Sequence, residues 1–340
     1  MTPLELLAMS PILLACVTAA FGLLIGSFLN VVIHRLPIML ERGWLAECRE
    51  MFGPDILSGH TAPGPGAGVL PELHQVPHEG VALDRSQATA TANVSTTQAT
   101  TDPSVEAGVA PPYNLMVPRS RCPSCEQLIG ALDNIPVLSY LVLGGKCRHC
   151  KTPISIRYPL VEILTALLCT VAVFRFGLTW AGAGAVLLSC ALIALAFIDL
   201  DRMLLPDNIT LPFLWLGLAL NTGPVFASLH DAVIGAITGY GILWLVYHAF
   251  RLLTGKEGMG YGDFKLTGML GAWLGWQALP GIILLSSLVG AIVGVALILL
   301  AGRGRDKPIP FGPFLAAAGW IYLIWGPAIE YAYTHALGLS

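Results

Sequence analysis

Residues 281–301 read GIILLSSLVGAIVGVALILLA, twenty-one positions without a single charge. As a helix this run is about 30 Å long, the thickness of a bilayer's hydrocarbon core. Comparable apolar runs lie at roughly 11–33, 158–176, 181–198, 209–225, 229–250, 266–280 and 311–333. A backbone in lipid must satisfy its own hydrogen bonds, so each run predicts a spanning helix. The expected fold is therefore an all-α polytopic membrane protein with about eight transmembrane helices. The sixth run abuts the seventh at Pro280-Gly281, which leaves a count of seven open.

Composition supports this reading. The chain has 340 residues, 55% apolar and 11% charged, where a soluble domain carries about 25% charged residues. Mean hydropathy is +0.71. A net charge of -3 gives no basis for a nucleic-acid partner. The first apolar run begins near Pro11 without a preceding basic stretch and outlasts a signal peptide, so it reads as a retained span.

Lysine and arginine set the orientation. With the N-terminus outside and eight spans, the inner segments hold Arg35, Arg42, Lys146, Arg148, Lys151, Arg157, Arg202, Arg251, Lys256, Lys265, Arg303, Arg305 and Lys307, while Arg175 stands near an outer end. The positive-inside rule then puts both termini outside and the polar motifs in the cytoplasm.

Three parts follow: a first span at 1–33, a cytoplasmic loop at 34–157 and a membrane domain at 158–340. Within the loop, the stretch from about 54 to 112 is rich in Pro, Thr, Ala and Ser and reads as a flexible insertion. Its piece Gly64-Pro65-Gly66-Ala67-Gly68 lacks the strand and helix that a phosphate loop needs.

Of eight cysteines, Cys122, Cys125, Cys147 and Cys150 form Cys-x2-Cys-x21-Cys-x2-Cys. Two short knuckles of this kind supply four thiolates in a tetrahedron, the preferred shell of structural zinc. A module of about 118–153 around one zinc ion is expected, with a redox dithiol pair as the weaker alternative. Four thiolates leave no open position for water, so the metal is structural and not catalytic. Cys16, Cys169 and Cys190 lie in apolar runs and read as buried thiols; Cys48 is given no role.

Two acidic segments stand at span ends: Ile198-Asp199-Leu200-Asp201 through Leu205-Pro206-Asp207-Asn208, and Gly260-Tyr261-Gly262-Asp263. Asp199 closes an apolar helix and Asp263 opens one, so both lie at similar depth. Two close carboxylates share one proton, and such a pair can activate water with one member while the other polarises a carbonyl. Helix-end acids also occur for the dipole alone, and intramembrane acids serve ion pathways. Asp201 and Asp207 read as surface residues, Asp207 as a helix entry.

These motifs together resemble the bifunctional prepilin leader peptidase/N-methyltransferase family. The Gly-x-Gly-Asp at 260–263 is similar to that of intramembrane aspartyl proteases, and Asp199 accompanies it. The stretch Gly26-Ser27-Phe28-Leu29-Asn30-Val31-Val32-Ile33-His34-Arg35-Leu36-Pro37 resembles the family's N-terminal signature, and Arg157-Tyr158-Pro159-Leu160-Val161-Glu162 follows the paired cysteines as it does there. The resemblance implies an enzyme of the bacterial inner membrane with its active site facing the cytoplasm. Its substrates would be type IV prepilins and type II secretion pseudopilins, cut after a glycine and then methylated on the new N-terminus with S-adenosylmethionine. It implies Asp199 and Asp263 as catalytic residues and the four cysteines as zinc ligands. It assigns no methyltransferase residue; Asn30, His34 and Arg35 are expected to snorkel at a helix end. A peptidase without methyl transfer, or a transporter using the same acids, are the other readings.

Overall fold

The computed structural model describes residues 10–53, 113–130, 133, 135–301 and 309–336. The expected flexible insertion and its glycine-rich piece lie outside the described residues. The chain forms two compact units, Met1–Glu41 with Tyr113–Ser340, and Arg42–Pro112. In the second unit the described part is the final stretch of the first helix.

The regular secondary structure of the described residues is all helical, apart from two isolated β-bridges, with turns and irregular segments between the helices. Helix α1 is Pro11–Phe52 and α2 is the short Leu138–Val142. The remaining helices are α3 Arg157–Phe176, α4 Trp180–Arg202, α5 Asp207–Leu220, α6 Leu229–Thr254, α7 Tyr261–Leu274, α8 Leu279–Ala301 and α9 Gly312–Ala336. Among the described residues, six helices are long and apolar enough to cross a membrane. Each apolar run of the sequence appears as a helix, in order. Two of them, α5 and α7, have only 14 residues. At 1.5 Å per residue they reach about 21 Å, less than a hydrocarbon core.

Several boundaries differ from expectation. Helix α1 does not end near residue 33 but passes through Pro37 to Phe52. Proline deletes one backbone donor, and the polar residues beyond it are still compatible with helix. The run at 266–280 is cut at Gly275, whose φ of +83° a glycine adopts without strain, and a 3-10 turn at Trp276–Ala278 precedes α8. Of the apolar-run cysteines, Cys169 is buried, Cys190 is half-buried, and Cys16 points outward from α1.

The centre of the bundle is α7. Ten of its fourteen residues are buried, including Phe264, Leu266, Met269, Leu270 and Trp273. It lies against α6 with the backbones touching. A Cβ on Gly235 of α6 would sit 2.3 Å from the Gly271 carbonyl oxygen, and one on Gly271 would sit 2.2 Å from that of Gly235. Small residues of this kind let helices approach in lipid, where dispersion has to replace the hydrophobic effect between them. On the other side the Trp273 indole donates to the Phe213 carbonyl of α5 at 2.7 Å. The buried Asn221 amide donates to the Ala272 and Trp273 carbonyls, each at 3.0 Å, satisfying the end of α7. A second apolar cluster, with Leu29, Ile33, Val161, Ile193 and Ile198, joins α1, α3 and α4.

Gly271→Ala therefore forces α6 and α7 apart. We expect a loss of about 1–3 kcal/mol, the usual cost of overpacking, seen as a lowered unfolding midpoint in detergent. An unchanged midpoint would contradict the close helix contact.

Candidate functional site

Asp199 and Asp263 lie at two helix ends of opposite polarity. Asp199 is in the last turn of α4, where Met203 in the left-handed region closes the helix by donating its N–H to the Asp199 carbonyl at 2.9 Å. Asp263 is the third residue of α7, which Gly260 starts in extended conformation. Both are buried, each 6% exposed. They are brought to one place: the start of α7, which carries Asp263, and the start of α9, which meets Asp199, both pack on Leu205. Among the described residues neither joins an ion pair. Buried carboxylates without a cation are costly to ionise together.

A carboxylate at the C-terminal end of its own helix opposes the macrodipole. Here the N-terminus of another helix offsets that. The Gly312 N–H, at the start of α9, donates to Asp199 Oδ2 at 2.9 Å. A Cβ at Gly312 would stand 2.6 Å from the same oxygen. Leu205, from the turn between α4 and α5, packs under both glycine-bearing helix starts: a Cβ on Gly262 would be 2.7 Å from its Cβ, and one on Gly312 3.1 Å from its Cδ2. Sequence reasoning missed Gly312. The segment Pro310-Phe311-Gly312-Pro313 signals a helix start, but nothing local points it at a carboxylate 113 positions away.

The other acidic residues are surface ties. Asp207 opens α5, as expected, and accepts two bonds of 2.7 Å from Lys265 Nζ, joining α5 to α7. Asp201 pairs with Arg157 of α3 at 2.6 Å.

The four cysteines of the loop converge, with all sulfurs within 4.8 Å of one another. They form two matching knuckles. Cys122 N–H donates to the Gln127 carbonyl and Cys147 N–H to that of Thr152; Glu126 and Lys151, each just after the second cysteine of its pair, take φ of 56° and 60°. Antiparallel bridges Arg121–Leu128 and Lys146–Pro153 close the two turns. Cys122 Sγ and Cys150 Sγ are 3.7 Å apart. That is far beyond a disulfide bond and close to the edge, about 3.8 Å, of a sulfur tetrahedron with metal–sulfur bonds of about 2.3 Å. The Thr152 hydroxyl and backbone amide bring the Cys150 thiol down to about 6 and the Ser124 and Cys125 amides lower that of Cys122, whereas, against the Gln127 amide, burial and the three neighbouring sulfurs push Cys125 up to about 11, so without a metal the four thiols do not ionise together. Thiolate-favouring bonds of this sort suit a metal ligand. The donor set fits a thiolate-bound divalent ion.

Two buried charges dock this module on the bundle. Glu162 of α3, 8% exposed, accepts the Val137 N–H at 2.8 Å. Arg35 does not snorkel: it is 8% exposed and donates to the carbonyls of Asn114 at 3.0 Å, Leu115 at 3.4 Å and Pro118 at 2.6 Å. His34 does remain exposed, and Asn30 is half-buried.

Comparison with known proteins identifies the same two halves. Residues 20–176 match the bacterial peptidase A24 N-terminal domain, and residues 186–295 match the type IV leader peptidase family. Curated relatives named prepilin leader peptidase/N-methyltransferase include that of Aeromonas hydrophila, 54% identical over 91% of this chain and 90% of its own. Those of Pseudomonas aeruginosa and Stutzerimonas stutzeri are 47% and 45% identical, covering 99% and 98% of each chain. No solved structure matches.

The three-carbonyl grip of Arg35 gives a test. Hydrogen bonds from a charged donor contribute about 1.5–3 kcal/mol each, and a lysine lacks the planar fork that spans several acceptors. Arg35→Lys is therefore expected to expose the 113–118 segment to limited proteolysis nearly as fast as Arg35→Ala. A lysine variant as resistant as wild type would show that charge alone suffices.

Proposed function

Because this chain belongs to the type IV leader peptidase family, we propose that it cuts the leader from type IV prepilins and type II secretion pseudopilins and then methylates the new N-terminus. The observation that carries the reading is the buried pair Asp199 and Asp263, brought together at helix ends that pack on Leu205, on a chain aligned nearly end to end with relatives named for both activities.

The chemistry follows from the pair. One carboxylate takes a proton from a water lying between them as that water attacks the scissile carbonyl carbon. The other, protonated, donates to the carbonyl oxygen as it gains charge. The tetrahedral intermediate collapses when the leaving amine is protonated, and the two groups titrate as one unit throughout. In this scheme Gly312 is a positioning residue: its N–H fixes one rotamer of Asp199, and α9 offsets the opposing dipole of α4.

We further infer that the four cysteines hold zinc, which when bound would supply folding energy to the module and no catalytic step. S-adenosylmethionine is the proposed methyl donor. The organisation proposed is a first span, a cytoplasmic loop bearing the metal module, and a membrane peptidase domain. An inner-membrane location with eight crossings and a cytoplasmic active site is supported by the lysine and arginine distribution. In it the short α5 and α7 would cross with their ends covered by neighbouring helices.

Two outcomes are expected. With a prepilin-like substrate, Asp199→Asn and Asp263→Asn each lower cleavage by about 10²–10⁴-fold while the protein remains folded; Gly312→Ala lowers it by about 10–150-fold, the worth of one bond to a charged group. Full processing by either asparagine variant sinks the catalytic assignment. For the metal, elemental analysis should find one zinc per chain, and chelation should open residues 113–157 to protease. A module that stays equally resistant after metal removal would falsify the structural-zinc assignment.

A further inference from the structure

The segment between the two knuckles carries apolar side chains that the cysteine module does not bury. In α2, Leu138, Leu141 and Val142 are 62%, 70% and 77% exposed, and Ile135 just before it is exposed as well. Positions i, i+3 and i+4 share one face of a helix, so the three form a single stripe. The other face belongs to the module. Pro136 is buried, Ser139 and Tyr140 are half-buried, and a Cβ on Gly145 would stand 3.0 Å from the Tyr140 ring. A contiguous bare apolar stripe marks a surface that something covers.

Depth identifies the cover. Val137, the residue before α2, donates its N–H to Glu162 Oε2 at 2.8 Å. A Cβ on Gly26 of α1 would stand 2.6 Å from the Glu162 Cα, which puts Glu162 level with Gly26. Side chains on a helix lean toward its N-terminus, so the Glu162 carboxylate and the Val137 amide lie about one turn nearer the start of α3. The bond from the Asn30 amide to the Tyr158 carbonyl marks that level. From Asn30 the apolar run of α1 continues to about residue 33, a further rise of about 5 Å. Phe28 of α1 with Leu160 and Ile163 of α3 border this level, and all three are exposed, as side chains facing acyl chains are. Helix α2 therefore starts about 5 Å inside the apolar layer. It has five residues and is about 7 Å long, so its stripe stays in the boundary region whichever way it runs. Interfacial helices bury their apolar face about 5–10 Å into the same boundary.

We propose that residues 135–143 are an interfacial membrane anchor, with Leu138, Leu141 and Val142 among the acyl chains of the adjacent leaflet. Backbone at that depth needs its own hydrogen bonds, and the segment supplies them. The N–H groups of Ser139, Leu141 and Leu143 donate to the carbonyls of Ile135, Val137 and Ser139 at 3.2, 3.0 and 2.9 Å. Pro136 has no N–H, and Val137 has Glu162. Val137 takes a φ of 57°, which a β-branched residue adopts only where its surroundings impose it; the Glu162 bond is such a constraint. Charge agrees with the placement. Residues 113–156 carry Arg119, Arg121, Lys146, Arg148 and Lys151 against Glu126 and Asp133, a positive balance suited to anionic headgroups. Part of the loop between α1 and α3 thus returns to the membrane, and the module is held there by Arg35, Glu162 and this stripe. The inference goes beyond the peptidase reading and needs only the spanning helices.

The test places a diazirine amino acid at position 141 or 142 of the full chain in nanodiscs containing phosphatidylglycerol. Position 288, on the exposed face of α8, serves as the lipid-facing reference. After irradiation, mass measurement is expected to find phospholipid adducts at 141 and 142 in a yield comparable with that at 288. Water adducts alone overturn the proposal. Adducts confined to a second copy of the chain, or to an added prepilin-like peptide, overturn it too, since they make the stripe a protein interface. Independently, Leu141→Glu with Val142→Glu is expected to speed protease cutting within 135–143 in these nanodiscs by about tenfold or more, the worth of one buried leucine. An unchanged rate overturns the proposal. Where the double variant loses the whole module, seen as cutting at 113–130 as well, the adducts of the otherwise wild-type chain decide.

Discussion

A carboxylate at the carbonyl end of an apolar helix is held against two penalties, burial and the dipole of its own helix. Asp199 is such a group, and much of the bundle is arranged around it. The N-terminus of α9 meets it with the Gly312 N–H, so the start of α9 is fixed relative to the end of α4. Gly312 has no room for a Cβ because Asp199 and Leu205 already fill that space. Asp263 is brought to the same place by the start of α7, whose dipole favours negative charge. The site is thus made from three helix ends, one of unfavourable and two of favourable polarity, meeting at Leu205.

This arrangement explains why α7 is short and almost wholly buried. At its start the extended backbone of Gly260 ends the helix three residues before Asp263, which keeps the carboxylate in the first turn. At the other end Asn221 takes up its last carbonyls and Gly275 turns the chain away. Its sides are closed by the Gly235–Gly271 contact with α6 and by Trp273 against α5. The cysteine module is anchored differently, through polar bonds. Arg35 grips three carbonyls before the first knuckle, and Glu162 holds the Val137 amide between the two.

The sequence makes some of this legible and hides the rest for physical reasons. Apolar runs, Cys-x2-Cys spacing and acids at run ends are local signals, and the helices, the sulfur cluster and the Asp199–Asp263 approach appear where those signals lie. Helix limits were less visible. Hydropathy marks where α1 leaves an apolar environment, near residue 33, yet the backbone stays helical to Phe52 because helix formation does not require lipid. Arg35 at a helix end suggested snorkelling, and only the fold brings the carbonyls of residues 114–118 to it. Gly312 is the extreme case, since its meaning resides in a partner on another helix. Ligand chemistry can be inferred from residue type and spacing; the backbone groups that aim those ligands cannot.

Helices α7 and α8 show how far hydropathy can mislead about importance. The span at Trp276–Leu300 is the most apolar of the six, but only a small part of it is buried inside the protein. Its outward residues, Leu284, Leu288, Ile292, Leu299 and Leu300 among them, are exposed, and lipid asks of them only that they be apolar. Helix α7 is less apolar, carries Asp263, Lys265 and Thr267, and is packed on nearly every side. Side chains facing lipid meet a fluid that adapts to their shape, whereas those of α7 meet fixed backbones at contact distance. Substitutions between apolar residues should therefore be tolerated along the outer face of α8 and resisted along α7, even though a hydropathy profile ranks the two helices the other way.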